Sequence, residues 1–531
     1  MLKKILSFKA IGIEAVPVTV ECEVADSGIG IHLVGLADFA VKESLLRTTT
    51  ALEAMGYRIP GRKIIINLTP ADLRKSGCAY DLPIALAMVA ASGQEPMPAI
   101  ADYVVAGELG LDGSLRDIPA WYQCAQLALN TPGIKGCILP RYSAKLAARA
   151  FQGEVTVYGA DSLREVISML NGAVPEITAL DEVNNEDDNY EEFQKMKRNW
   201  WNGIKGQEGA KRALEIAAAG GHPVLMVGAP GTQKSSLARA ILDILPPMTM
   251  KAAMESQAIW SAANKQIIPG VRPFRAPYYA ASLSALLGGG AGDNILPGEV
   301  SLTHGGVLYL EDFNNAPKAL LEALRGPLED RKIKISRLRS IVEYPADFLP
   351  VMSVLPCPCG YYGEGDKCNC TTNQREAYLS KISGPVYDRM TIQAWVHPSW
   401  KDATPGESSE LVSERVAKAR ERQMKRQGKL NDELDAQELE KFTIDGNATE
   451  VKNFIETILM RMNFNARTYS RMLKIARTIA DLEGKDQIST AHLAEAASYR
   501  FLDRKIPTQP EENEPCHAHS LPSSIPAAAR G

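Results

Sequence analysis

The chain has 531 residues, of which 45% are hydrophobic and 23% charged, and its net charge of −4 does not indicate a polyanionic partner. No run approaches the ~18 apolar residues that span a bilayer, which excludes a transmembrane protein. The nine cysteines, an odd number without a secretion signal, favour thiols or a metal site over disulfides, so we expect a cytoplasmic protein of three or four domains.

Residues 1–172 alternate strand-like and helix-like segments and are predicted to form an α/β domain. The clearest of these segments are the strands Val18–Val24 and Lys63–Asn67 and the helices Val41–Met55 and Asp81–Ala91. Residues 173–200 are rich in Asn, Asp and Glu, which is typical of a linker.

A second α/β unit is predicted over residues 201–397, and a phosphate-binding loop stands near its start. The apolar strand Val224–Val227 enters a Gly-rich turn that matches the pattern G-x-x-x-x-G-K-[ST], except that Gln233 replaces the second glycine. In such a loop, backbone N–H groups surround the phosphates of a nucleoside triphosphate. The residues predicted to bind ATP here are Gly228, Ala229, Pro230, Gly231, Thr232, Gln233, Lys234, Ser235 and Ser236.

Two carboxylates, Glu311 and Asp312, follow the apolar strand Val307–Leu310 and predict the catalytic half of the site. Ser235 and Glu311 are the candidate Mg²⁺ ligands, and Asp312 is the candidate for polarising the attacking water. The common order is Asp then Glu, and a shift of about 1 Å can cost ~10²-fold in rate. Either motif alone also fits a packed turn or a solvated strand end. Together they predict a nucleotide fold and leave hydrolysis open.

Four cysteines, Cys357, Cys359, Cys368 and Cys370, form a C-x-C-x₈-C-x-C cluster that suits tetrahedral Zn²⁺. Reduced structural cysteines are the alternative. Residues 398–503 are predicted to form a helical unit, and the Pro-, Ala- and Ser-rich residues 504–531 a disordered tail.

The motifs lie in longer strings that resemble the magnesium-chelatase-like AAA+ ATPases, specifically the YifB or ComM competence-protein family. In the second and third units the strings are Lys205–Glu208, Arg272–Pro277, Pro297–Leu302 and Ala476–Leu482. In the first unit they are Ile66–Leu73 and Tyr80–Ala85.

The resemblance implies an α/β protein with a ribosomal-S5/Lon-like first domain, an AAA+ P-loop domain and an α-helical lid. It implies a ring, in its usual form a hexamer, that acts on DNA in branch migration during recombination of incoming DNA. Arg389 matches the arginine finger that acts on a neighbouring subunit, and Arg467 matches the lid arginine that senses nucleotide. Ala79 and Tyr122 stand where the Lon pattern has its nucleophile and lysine, so the first domain is expected to be non-proteolytic.

Two basic features are candidates for the DNA contact. Arg272 and Arg275 lie in a loop that faces the centre of a ring if the family geometry holds, and residues 415–426 form a strongly basic run. A solvated face of a lid helix is the alternative for the second.

The sequence differs from the family pattern at the positions expected to bind and hydrolyse the nucleotide. Beside Gln233 and the reversed acidic pair, Leu355 replaces a polar sensor residue, and Tyr278–Tyr279 replaces a pair of histidines. Two hypotheses follow: an ATP-dependent DNA motor with weakened hydrolysis, and a nucleotide-binding scaffold that does not turn over. A magnesium-chelatase subunit of tetrapyrrole synthesis is a third, based only on shared AAA+ ancestry.

Overall fold

The computed structural model describes most of the chain outside its C-terminal tail. The described residues are 2–173, 177–185, 199–268, 270–290, 295–337, 341–381, 384–387, 389–397, 406–444, 449–462 and 464–503. The predictions for most of the acidic linker and for the tail 504–531 therefore fall outside the described residues.

The first unit is built on a seven-stranded mixed sheet with strand order β3-β4-β2-β1-β5-β8-β9. The strands of the first unit, in which β6 and β7 form a separate two-stranded sheet, are β1 (Lys3–Ile11), β2 (Glu14–Val24), β3 (Ile31–Val34), β4 (Ile64–Thr69), β5 (Tyr103–Val105), β6 (Glu108–Leu109), β7 (Leu115–Arg116), β8 (Gly136–Pro140) and β9 (Val157–Ala160). Its helices are Phe39–Ala54, Asp81–Ala91, Trp121–Asn130, Arg141–Phe151, Leu163–Leu170 and Ala179–Asn185. The two strands and two helices predicted here are confirmed within a few residues at their ends.

The helix Asp81–Ala91 is buried along its whole length because nearly all of its side chains are apolar. Its one acid, Asp81, accepts hydrogen bonds from Arg47 Nε at 2.8 Å and from Ser44 Oγ. Desolvation still raises the pKa of Asp81, against the opposing effect of these donors. The ion pair with Arg47 compensates a buried charge at the centre of the first unit.

The second unit contains a fully parallel five-stranded sheet with strand order β11-β14-β17-β10-β18. The strands of this unit are β10 (Val224–Val227), β11 (Phe274–Arg275), β12 (Gly288–Gly289), β13 (Leu296–Pro297), β14 (Val307–Leu310), β15 (Lys332–Ser336), β16 (Ile341–Pro345), β17 (Leu349–Val354) and β18 (Ile392–Trp395). Its helices are Trp200–Gly203, Glu208–Gly220, Lys234–Ala240, Met250–Ala262, Leu283–Leu287, Lys318–Ala323, Arg325–Asp330, Thr372–Leu379 and Gly384–Tyr387. Strands β10, β14 and β17 are buried at every position, as expected for a sheet covered on both faces.

Five helices follow the second unit, and they share a core with its helix Glu208–Gly220. They are Ser409–Gln427, Ala436–Thr443, Thr449–Met462, Ala466–Leu482 and Thr490–Ser498. Several begin at a side-chain cap, such as Asp435, Asn465 and Ser489, which satisfies orphan N–H groups of the first turn. Among the described residues, no helix is both long and apolar enough to cross a membrane.

The first and second units meet along the helix Met250–Ala262. The side-chain amide of Gln123 donates to Ala258 O at 3.2 Å and accepts from Ser261 Oγ at 3.2 Å. On the other side of this contact, a Cβ atom at Gly12 would lie 2.4 Å from Val342 Cγ1, so only glycine fits there. The contact therefore joins the β1–β2 turn to the β15–β16 hairpin.

Candidate nucleotide site

The phosphate-binding loop leaves the sheet at the point where its strand order reverses. Strand β10 lies between β17 and β18, and ligands of open parallel sheets bind at the carboxyl edge of such a point. Gly228 N donates to Val354 O of β17 at 3.3 Å, and a Cβ atom at Gly228 would lie 2.6 Å from Val396 O. The first glycine of the motif is therefore required by close backbone approach.

Gln233 keeps the backbone conformation that the missing glycine would adopt. Its φ of 66° and ψ of 22° are left-handed, and its side chain is exposed rather than directed into the loop. A non-glycine residue in this conformation costs roughly 1–2 kcal/mol. The substitution thus strains the loop without filling it.

Lys234 is buried against the loop that it follows. Its Nζ donates to Gly228 O and to Ala229 O, each at 2.8 Å. Burial lowers the pKa of Lys234, and the nearby carboxylates Asp312 and Glu311 oppose that shift. The ammonium therefore lies within the Gly-rich turn, where a phosphate would need it.

The candidate magnesium ligands come together as predicted by their motifs. Ser235 is the second residue of the helix Lys234–Ala240, Glu311 follows β14, and Ser235 Oγ donates to Glu311 Oε1 at 3.0 Å. A hydroxyl and a carboxylate beside a phosphate loop are the oxygen ligands that Mg²⁺ takes. These residues fit Mg²⁺ with ATP.

Asp312 is held by a contact that the sequence analysis missed. Its backbone N–H donates to Ser353 Oγ at 3.3 Å, and that hydroxyl also lies 2.9 Å from the Tyr309 hydroxyl. Burial raises the pKa of Asp312, as does Glu311, whereas Lys234 acts in the opposite direction. The signal was available: Tyr309 and Ser353 are the polar side chains in two otherwise apolar strands.

The other departures from the family pattern lie around the same edge. Leu355 directly follows β17 and is partly buried. The hydroxyls of Tyr278 and Tyr279 are 3.1 Å apart, and this hydrogen bond is the main cause that raises the pKa of Tyr279, with a smaller contribution from Asp312.

Arg389 does not lie near the chain's own loop. It stands three residues before Ile392, the first residue of β18, and Ile392 pairs with Val224 at the amino end of β10. The loop follows the carboxyl end of β10. Arg389 instead forms an ion pair with Glu329.

Arg467 is exposed in the first turn of the helix Ala466–Leu482. Its role as a nucleotide sensor stays a prediction.

Arg272 and Arg275, predicted to lie in a loop that faces a ring centre, both have their side chains bound within the chain; the orientation toward a ring stays a prediction. Arg272 donates to Pro246 O at 2.8 Å and also to Pro247 O and Gly305 O, and burial lowers its pKa to about 10. Arg275 forms a two-point ion pair with Glu299, including a 2.6 Å bond from Nη2. Both guanidinium groups are therefore used inside the fold, which a sequence pattern could not reveal.

The basic run 415–426 lies on the helix Ser409–Gln427, and its charges are largely paired within the chain. Arg415 binds Glu215 at 2.7 Å and Arg426 binds Asp481 at 2.6 Å, while Arg420 donates to the backbone of Ala218. Lys418 and Lys425 form i,i+4 pairs with Glu414 and Glu421. This intrachain pairing favours neither a fully solvated helix face, the alternative for this run, nor a free basic surface for DNA.

The four clustered cysteines converge in space. All four Sγ atoms lie within 4.8 Å of one another, and Cys357 Sγ is 3.3 Å from Cys359 Sγ and 3.7 Å from Cys368 Sγ. A Zn–S bond of about 2.3 Å implies S–S separations of about 3.8 Å around a tetrahedral ion. A bond from the Tyr361 backbone lowers the pKa of Cys359 to about 7. The cluster can hold one metal ion.

Three family models match the chain in succession. Residues 201–404 match "Magnesium chelatase, subunit ChlI", residues 20–143 match "Subunit ChlI of Mg-chelatase", and residues 406–500 match "Magnesium chelatase, subunit ChlI C-terminal". Because a model with the chelatase subunit's description also matches the first unit, that unit does not by itself separate the chain from such a subunit.

The chain also matches relatives along nearly their whole length. The chain is 39% identical to the protein YifB of Salmonella typhimurium and 40% identical to YifB of Escherichia coli K12, in each case over 94% of this chain and 96% of the relative. It is 36% identical to the competence protein ComM of Haemophilus influenzae over 94% of this chain and 98% of the relative. The chain belongs to the magnesium-chelatase-like YifB/ComM family of AAA+ proteins.

Proposed function

We propose that the chain is an ATP-dependent AAA+ motor that acts on DNA as a ring, in the manner of a branch-migration helicase in recombination of incoming DNA. The observation that carries the nucleotide part is the meeting of Lys234, Ser235, Glu311 and Asp312 at one edge of the sheet. Bound ATP would supply the phosphoanhydride whose hydrolysis drives movement, and Mg²⁺ would neutralise charge on its phosphates.

Each site residue has one role in this proposal. The loop amides and Lys234 bind the phosphates, and Ser235 with Glu311 orients the Mg²⁺. Asp312, positioned by Ser353 through its backbone, orients the attacking water. The unusual acidic order and Leu355 place these groups less favourably than in the family pattern, so we expect slow turnover.

The position of Arg389 supports the proposed ring. Because this arginine lies at the amino edge of the sheet and the loop at the carboxyl edge, Arg389 can serve a nucleotide only on a second copy of the chain. Release from Glu329 would free it to stabilise charge in the transition state of the neighbour. A hexamer is the closed ring we propose, with Arg467 of the lid sensing the nucleotide.

The DNA contact is assigned to the β15–β16 hairpin instead of Arg272 and Arg275. Its outer face carries Lys332 and Lys334, and Arg337 follows at the end of β15. Lys332 Nζ binds Glu343 at 2.7 Å, which leaves Lys334 and Arg337 as the surplus positive charge. Phosphate contacts from several subunits add, so a chain of net negative charge can still hold DNA.

The first domain is proposed to be an S5/Lon-like module for docking or assembly, without peptidase activity. Tyr122, at the position of the Lon lysine, is buried and stacks on Phe151 with ring centroids 4.8 Å apart. Ala79 has no nucleophile.

Zn²⁺ is the ion we propose for Cys357, Cys359, Cys368 and Cys370. Four thiolates at these separations suit a closed structural site rather than a catalytic one, since no position is left for water.

The rival function is a nucleotide-gated scaffold that binds ATP without hydrolysing it. Gln233, the order of Glu311 and Asp312, and Leu355 favour it.

Hydrolysis assays decide between the two functions. Phosphate release by the purified chain is measured with and without branched DNA. Lys234→Ala is the variant with an inactivated site, and Lys265→Ala, at an exposed lysine, is the matched control. Turnover that DNA stimulates and Lys234→Ala abolishes supports the motor. Binding without turnover excludes the motor and supports the scaffold.

A further inference from the structure

The segment that carries the four cysteines, residues 357–370, is called the cysteine loop. It directly continues from β17 through Leu355 and Pro356, and it ends at the capping box of Thr371 and Gln374 that opens the helix Thr372–Leu379. A short 3₁₀ turn at Gly365–Lys367 is its one regular element. Such a loop buries little apolar surface of its own, so an added cross-link is needed to hold one conformation.

One face of the cysteine loop lies against the phosphate-binding loop. Gly360 is in a left-handed conformation with φ of 86°, and its N–H donates to Cys357 O at 3.0 Å. A Cβ atom at Gly360 would lie 3.1 Å from Cδ and 3.3 Å from Cγ of Pro230. The cysteine loop therefore meets Pro230, a central residue of the phosphate-binding loop, at van der Waals distance.

Tyr362 and Gly363 of the cysteine loop both lie against Trp395 of β18. Tyr362 makes an edge-to-face contact with Trp395, the last residue of β18, at a centroid separation of 6.1 Å. The guanidinium carbon of Arg375 lies 4.0 Å from the centroid of the Tyr362 ring. A Cβ atom at Gly363 would lie 3.0 Å from Trp395 Cζ2. The loop thus spans from Pro230 to the end of β18.

Another contact reaches the turn that follows Glu311 and Asp312. Tyr378, in the helix that the cysteine loop leads into, donates its hydroxyl to Asn315 Oδ1 at 3.4 Å, three residues after Asp312. The cysteine loop and its helix therefore contact the phosphate-binding loop, the end of β18 and the turn that follows the acidic pair.

We propose that a zinc ion held by Cys357, Cys359, Cys368 and Cys370 fixes the cysteine loop against Pro230, so that metal occupancy keeps the phosphate-binding loop in its nucleotide-binding conformation. This inference rests on the proposed nucleotide binding. The cross-link acts by removing conformations of the cysteine loop that leave Pro230 unsupported. Loss of the metal then makes the phosphate-binding loop more mobile, although no residue that binds phosphate has been changed.

The test uses the purified full chain and begins with its metal content. We expect about one zinc ion per chain. Cys359→Ser and Cys370→Ser remove the two less buried thiols, and Cys78→Ser, a partly buried cysteine of the first unit, is the matched control. Each cluster variant is expected to lose zinc and to show faster amide hydrogen exchange in residues 228–236. Each is also expected to bind Mg-ATP about tenfold or more weakly, and the control to change none of these.

A second variant separates bracing from metal ligation. Gly360→Ala keeps all four thiols but adds a methyl group 3.1 Å from Pro230 on a backbone with positive φ. It is expected to retain zinc and still speed exchange in residues 228–236.

The outcomes distinguish the two claims. Wild-type protein without metal, or a zinc-free Cys359→Ser variant with wild-type exchange and affinity, overturns the inference and leaves the proposed function standing. Zinc-loaded protein that binds no nucleotide overturns the proposed function. Faster exchange in residues 228–236 on zinc loss then still supports the brace.

Discussion

Ser235 Oγ donates a hydrogen bond to Glu311 Oε1 at 3.0 Å, which joins the phosphate-binding loop to the end of β14. Glu311 stands where an aspartate is usual, and its extra methylene still allows it to reach the hydroxyl. Asp312, in the second position, is one methylene shorter than the usual glutamate. In the proposed site, the reversed pair would therefore keep the magnesium ligand in place and shorten the reach toward water.

Exchanging the two acids tests this interpretation. The double variant Glu311→Asp/Asp312→Glu is expected to raise the rate of ATP hydrolysis by about 10- to 10²-fold, because a displacement near 1 Å has that effect. Its affinity for Mg-ATP should stay within about threefold, since a 1.4 kcal/mol change would be tenfold. The single variant Glu311→Asp is the control and should be slower than wild type. A double variant no faster than wild type contradicts the interpretation.

Asp312 also gives a pH dependence with a defined sign. Burial raises the pKa of Asp312 above its ordinary value in the folded state. The charged carboxylate therefore costs stability at neutral pH, and that cost is relieved as pH falls through the raised pKa. Asp312→Asn is expected to unfold at a higher temperature than wild type at neutral pH, and the difference should shrink in acid.

The same variant should lose hydrolysis by about 10²- to 10⁴-fold, the usual contribution of a positioned acid–base group. Wild-type hydrolysis should fall in acid at a pH above the ordinary aspartate value. Thermal unfolding from acid to neutral pH, beside hydrolysis over the same range, checks both. A lower unfolding temperature for Asp312→Asn at neutral pH would show that the carboxylate stabilises the fold.

Gln233 makes a separate prediction about strain. Gln233→Gly should raise the free energy of unfolding by about 1 kcal/mol because it relieves a left-handed backbone. Gly231 is the matched control: its φ is 78° and nothing lies within 4 Å of an added Cβ, so Gly231→Ala should lose a similar amount through conformation alone. Chemical denaturation measures both. Equal stabilities for wild type and Gln233→Gly would mean that the loop tolerates glutamine without cost.

The sequence predicted the strands and loop that place this site, because close backbone approach and buried parallel strands require particular residue types. Val224–Val227 is a strand, and the loop after it carries Gly228. The left-handed conformation of Gln233 could not be predicted from the sequence, because glutamine has no preference for that conformation. The orientation of the Arg272 side chain could not be predicted either, because its acceptors, the carbonyls of Pro246 and Gly305, come close to it only in the folded chain.

Removal of the surplus charge on the β15–β16 hairpin tests the DNA contact. The double variant Lys334→Ala/Arg337→Ala should keep hydrolysis without DNA and lose most of its stimulation by branched DNA. Because each lost phosphate contact reduces the salt dependence, the slope of log affinity against log salt should fall by about one per residue. Lys265→Ala is the control. Undiminished stimulation would place the DNA elsewhere.

The central claim is that this divergent loop still binds Mg-ATP. Its most direct test is equilibrium titration of the purified chain with Mg²⁺ and a non-hydrolysable ATP analogue, by calorimetry, beside Lys234→Ala and Lys265→Ala. Wild type and Lys265→Ala should bind saturably. Lys234→Ala should bind about tenfold or more weakly, because the ammonium that it removes lies within the loop. Absence of binding by wild type, or equal binding by Lys234→Ala, would contradict it.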